Sequence, residues 1–168
     1  PQASWDRMYV TALSNLKEAK RIVTADKVIS AETKANQLAM IDVLEVYAYS
    51  ILVNTFGDVP YTEALNIDNP QPKYDDAKTI TLDLIKRLDA DVAAINSAGS
   101  GFGSSDIIYK GSTDKWSKFA NSLRLKLAMV IADTDSDTAS KTAKAAAGGA
   151  LITANADNAL FGYVAAPN

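Results

Sequence analysis

Residues 38–53 read LAMIDVLEVYAYSILV, and only Asp42 and Glu45 carry charge. A helix that is apolar on every side is buried on most of them, so this stretch predicts a central helix with the other segments packed round it. Ser30, with Glu32 two positions on, reads as its cap. Gly57 ends it, and Pro60 in the Asp58-Val59-Pro60-Tyr61 loop bars further helix and holds Val59 extended. No stretch reads as long and continuously apolar as a membrane span requires.

Neighbours for that helix follow from the same spacing. Trp5, Met8, Ala12, Leu16, Ala19 and Val23 recur at helical intervals with Leu13 and Ile22 beside them, predicting an amphipathic helix over about 4–23 with Ser4 as cap. Asp75 or Asp76 caps a helix to about residue 98, with Ile80, Leu84, Leu88, Val92 and Ile95 inward and Lys86, Arg87, Asp89 and Asp91 as a solvated face. The glycine-serine run 98–106 ends it as a surface linker, and 107–109 reads as a short extended piece. Thr113 or Asp114 opens a basic helix to about 132 with Trp116, Ala120, Leu123, Leu127 and Val130 on one stripe and Phe119 and Ile131 beside it. Ser136 or Asp137 starts an alanine-rich helix that ends at Gly148-Gly149, and the tail 150–168 reads as loop. Residues 55–76, with three of the five prolines, form one long connection with a turn near 62–65. These elements predict one all-α domain over 1–168, built of antiparallel helix pairs in a right-handed array.

Composition removes several chemistries. With no cysteine and no histidine, thiol nucleophiles, disulfides, the usual zinc sites and histidine acid-base machinery are absent. A net charge of -3 over 168 residues offers no basic excess for nucleic acid. Asp58 and Glu63 flank Pro60-Tyr61, but their spacing sets no distance across a sugar ring, and they read as caps of loop amides rather than a hydrolytic pair. Asp68, Asp75 and Asp76 lack the dense alternation of a calcium loop. Gly99, Gly101 and Gly103 follow a helix rather than a strand, against the order a dinucleotide cradle needs. No catalytic, metal or cofactor residues are therefore assigned. Trp5, Tyr47 and Trp116 sit on helical stripes and read as core. Tyr61, Tyr74 and Phe102 lie in loops and, with Asp58, are the candidate ligand contacts, because a ring stacks on a sugar's apolar face.

Three longer motifs sharpen this reading: NTFGDVPYTEAL at 54–65, KYDDAKTI at 73–80 and DKWSKFANSLRLKLAM at 114–129. In this order they closely resemble the SusD/RagB family of outer-membrane nutrient-binding lipoproteins, in particular its SusD-like branch. The resemblance implies an all-helical scaffold of tetratricopeptide-like helix pairs, although no 34-residue consensus repeat is visible. It implies a non-enzymatic, cofactor-free role: capture of an oligosaccharide, or in some members a peptide, for a SusC-like TonB-dependent transporter. It also implies a cell-surface location on the outer membrane, with a lipid anchor upstream of Pro1, and a chain covering about a third of a family member. One departure is Val130, where family members often carry arginine. The competing expectation is a helical docking scaffold for a transporter or protein partner, with no ligand site of its own.

Overall fold

The computed structural model describes residues 2–96 and 99–162. Among these the helices are α1 (Gln2–Asp6), α2 (Ser14–Ala25), α3 (Ala31–Phe56), α4 (Ala77–Ala94), α5 (Thr113–Val130) and α6 (Ser136–Ala147), with a π-helical stretch, Arg7–Leu13, joining α1 to α2. Apart from one two-residue bridge the described chain is all-α. Side-chain caps set the helix starts. Ser30 accepts from the Thr33 amide at 3.2 Å, Asp76 from Thr79 at 2.8 Å, Ser112 from Lys115 at 3.4 Å and Asp135 from Thr138 at 3.1 Å. The last two caps lie one residue ahead of the expected ones. α4 stops at Ala94, and the expected end at Ala98 and tail residues 163–168 lie outside the described residues.

α3 forms the centre, with Met40, Val43, Val46 and Leu52 almost wholly buried and α2, α4 and α5 packed against it. Length and composition alone would let it cross a membrane, which corrects the expectation that no stretch is long and apolar enough. Gly57, at φ +78° and ψ -123°, ends it in a backbone conformation that glycine adopts without strain. The first helix begins at Gln2 rather than Ser4, and its π-helical stretch widens the turn. Over the π-helical stretch the buried residues are consequently Tyr9 and Leu13; farther along, Val23 of the expected stripe is buried and Ile22 stays in solvent.

α3 and α4 run in opposite directions. Asn36, near the start of α3, donates to the Asn96 and Gly99 carbonyls beyond α4 and accepts from the Asn96 amide. Gly99 lies so close to α3 that a Cβ there would meet the Glu32 backbone at 2.5 Å. At Gly99 and Gly101 the run is thus a packed crossing that leaves no room for side chains, while Ser100 and residues 103–105 lie at the surface as the linker reading expects. Residues 107–109 form a turn, not an extended piece. Asp106 accepts from the Ile108, Tyr109 and Gly111 amides and from the Trp116 indole at 2.7 Å, so one buried carboxylate organises the approach to α5. On α5 the inward stripe continues to Ile131, and Val130 is exposed. Asn121 ties α6 to α5 by donating to the Ala146 and Ala150 carbonyls.

Candidate functional site

The long connection between α3 and α4 folds back on itself. Val59–Pro60 (β1) pairs antiparallel with Tyr74–Asp75 (β2), Val59 opposite Asp75 and Pro60 opposite Tyr74. Asp58 accepts from the Ala77 amide at 2.9 Å, fastening the loop to the start of α4. Asp75 accepts from the Tyr61 and Thr62 amides and the Thr62 hydroxyl. Burial opposes the Asp75 charge, but these bonds hold its carboxyl below the usual range. Between this clasp and the first helix lies an open groove of about 530 Å³, lined by Trp5, Tyr9, Pro60, Ala64, Leu65 and residues 69–72 and 74. Trp5 and Tyr74 stack at 6.2 Å and 24°, and Tyr9 is locked beneath by donating to the Pro60 carbonyl at 2.6 Å. Tyr74 is 63% exposed. The groove therefore offers ring faces, proline edges and two planar amides, Asn69 and Gln71. Such a surface can stack an apolar face and hydrogen-bond a polar rim.

Behind the groove lies a buried charge cluster. Arg87 donates through Nε and Nη2 to Asp42, through Nη2 to Glu45 at 2.7 Å and through Nη1 to the Tyr61 hydroxyl at 2.9 Å. Lys20 of α2 reaches Asp42 at 2.5 Å and Glu45 at 3.3 Å. Tyr61 in turn donates to Asp83 and packs edge-on to Tyr49 at 4.7 Å. Asp91 is 6% exposed, and its Oδ2 has no partner among the described residues. Burial, then the Asp42 charge, pushes its carboxyl up to about 8, whereas Arg87 and Lys20 overcome burial to hold Asp42 at about 2. With Asp91 protonated, the two cations balance Asp42 and Glu45. Among the described residues no group of acidic side chains is arranged to hold a metal ion.

A family profile described as "starch-binding associating with outer membrane", of the SusD-like type, matches residues 1–168. The chain belongs to the SusD-like family. Among solved structures, a chitin-binding protein superposes with a TM-score of 0.81 at 32% identity, covering 94% of this chain and 33% of its own. A SusD homolog from Bacteroides uniformis gives 0.81 at 29%, covering 94% and 32%. A chitin-binding SusD homolog from Flavobacterium johnsoniae gives 0.77 at 26%, covering 91% and 32%. The chain thus spans about a third of the structures it matches. No curated protein matches it. Members of this family bind nutrients at the outer membrane and are not catalysts.

In this SusD-like chain the four sequence-predicted contacts do not converge. Tyr74 lines the groove. Tyr61 is half-buried with its hydroxyl engaged, and burial together with Asp83 raises its pKa. Asp58 is committed to the Ala77 amide. Phe102 lies elsewhere, in a depression with Met40, Leu44, Ile107, Ile108 and Trp116. Trp5, read as core from its spacing, is partly buried against the core and also supplies the groove's second ring. The expected solvated face on α4 holds for Lys86 and Asp89, which are exposed, but not for Arg87 and Asp91. Arg87 points inward because α3 sets Asp42 and Glu45 against it, and Asp91 is buried beside them. Those two charges in an otherwise apolar run were the available signal: buried carboxylates need cationic partners.

Proposed function

We propose that this chain forms the helical scaffold region of a cell-surface glycan-binding protein in TonB-dependent nutrient uptake, with its own saccharide contact at the Trp5–Tyr74 groove. The stacked ring pair beside the Asn69 and Gln71 amides carries this reading. Names of the similar structures favour chitin oligosaccharides and the family description favours starch, so both are the natural probes. The helix pairs form a tetratricopeptide-like array in this reading, and a SusC-like transporter and lipid anchor complete the system on the family pattern.

Titration of tryptophan fluorescence with chitin and starch oligosaccharides tests it, since Trp5 lines the groove. Saturable binding by one series is expected. Tyr74→Ala weakens it about tenfold, or about 1.4 kcal/mol, as loss of a stacking ring does. Equal binding by the variant and the unaltered chain overturns the assignment. A second reading, a protein-docking scaffold, is favoured by an apolar furrow of about 370 Å³ between the first helix and α3, lined by Met8, Ala12, Leu16, Leu44, Tyr47 and Ile51. Absence of any saccharide response, with binding of a peptide or transporter segment, supports that reading instead.

A further inference from the structure

The Trp5–Tyr74 groove does not end at its rings. The same two rings line a second depression of about 290 Å³, completed by Gln2 and Phe56, and Phe56 meets Trp5 edge-on at 5.2 Å. At the other end, the groove shares Leu65 with a third depression of about 450 Å³, lined by Lys17, Glu18 and Arg21 of α2 and by Asn66 and Ile67 of the proline loop. The helical residues lining the three follow chain order: Gln2 and Trp5, then Trp5 and Tyr9, then Lys17 to Arg21. The chain is helical throughout from Gln2 to Ala25, so the depressions succeed one another along about 25 Å of one helix.

Each depression repeats the same chemistry, an apolar side chain beside a planar polar group. Phe56 lies with Gln2, the ring pair with Gln71, and Ile67, which is 96% exposed, with Asn66 and Arg21. Gln2 donates its amide to Asp6 at 2.8 Å, and Arg21 lies against Glu18 through Nε and Nη2, both at 2.7 Å, which balances its charge. Among the described residues lining the three, only Lys17, Glu18 and Arg21 are charged. Lys17 is committed as well: its Nζ donates to the Leu65 carbonyl at 2.6 Å, tying α2 to the loop where the central and third depressions meet. Leu65 holds φ +58° at that junction, a left-handed conformation uncommon for a residue with a side chain, and backbone strain of this kind clusters at ligand sites.

We infer that the three depressions form one trough for an elongated, uncharged oligosaccharide, with one sugar unit on the Trp5–Tyr74 pair at its centre and further units running toward Gln2 on one side and Ile67 on the other. A repeating ligand matches a repeating site, since every unit presents an apolar face and a hydroxyl rim. The trough rests on the saccharide reading of the central groove and deepens it, from a class of ligand to a chain of several units.

Calorimetric titration of the full chain with chitin and starch oligosaccharides, each from the disaccharide to the hexasaccharide, tests it and tells the two sources apart. In the series that binds, the hexasaccharide is expected to bind about tenfold more tightly than the disaccharide. Gln2→Ala and Ile67→Ala, at exposed positions near the two ends, each weaken the hexasaccharide about threefold and leave the disaccharide unchanged, whereas Tyr74→Ala weakens both. The end variants separate a long trough from the statistical gain that a longer chain has at a single short site. Equal affinity at every length, end variants without effect on the hexasaccharide, or end variants that weaken the disaccharide as much, overturns the trough and leaves the central groove standing. No binding by either series, or a Tyr74→Ala variant that binds like the unaltered chain, overturns the groove assignment and the trough with it.

Discussion

Replacing Asp91 with asparagine stabilises this chain at neutral pH, although Asp91 is a buried acid in an ionic cluster. Its folded carboxyl holds its proton up to about 8, while in the unfolded chain it releases it near about 4. Between those values the folded state binds one proton more than the unfolded state, and stability falls by about 1.4 kcal/mol per pH unit. The Asp91 contribution is thus fully present below about pH 4 and lost as pH rises toward 8, with an upper limit of about 4 kcal/mol at pH 7. Asparagine has the shape of the neutral acid and an N–H to offer Asp42, and it binds no proton. The variant should therefore match the unaltered chain near about pH 4 and exceed it by roughly 2–4 kcal/mol at neutral pH. Asp42 works in the opposite sense. Its folded carboxyl is held at about 2, so its stabilisation is present above the unfolded value and lost as pH falls through the folded one, and Asp91→Asn leaves that acid limb alone. Urea unfolding followed by circular dichroism at a series of pH values reads both limbs. A variant less stable than the parent at neutral pH, or one with the parent's slope between about pH 5 and about pH 8, refutes the reasoning.

Asp42→Ala should cost about 2–3 kcal/mol at neutral pH, since it takes the main partner from the largely buried Arg87 but leaves Glu45 to pair with it and Lys20 open to solvent; the same urea titration measures it. Asp106→Ala releases three loop amides and the Trp116 indole, and should lower stability by about 2–4 kcal/mol while shifting Trp116 emission to the red. Asn121→Ala strips the Ala146 and Ala150 carbonyls of their donor, costing about 2 kcal/mol. Hydrogen exchange in α6 should then rise more than in α3 or α4.

Much of this protein is legible in one dimension. The apolar run of α3, the capped starts of α3 and α4 and the inward stripes of α4 and α5 follow from periodicity and cap chemistry, because both are properties of a single helix in contact with some interior. The missing cysteine and histidine excluded whole classes of chemistry without any coordinates. The motifs at 54–65, 73–80 and 114–129 carried the family, and what they specify is a clasp and a packed helix: Asp58 on Ala77, Asp75 on Tyr61 and Thr62, Trp116 on Asp106.

Tertiary structure decided the rest. Whether Arg87 and Asp91 meet water or carboxylates depends on which face of α3 lies across from them, and periodicity within α4 contains no information about its neighbour. Trp5 and Tyr74 are far apart in sequence and become one surface only when the bridge at 59–60 and 74–75 folds the proline loop against the first helix. Gly99 reads as a linker until α3 is seen pressed against it. The division has one physical cause: local propensity and amphipathic spacing are fixed by covalent neighbours, whereas ion pairing, ring stacking and close backbone approach are fixed by partners that only packing brings together.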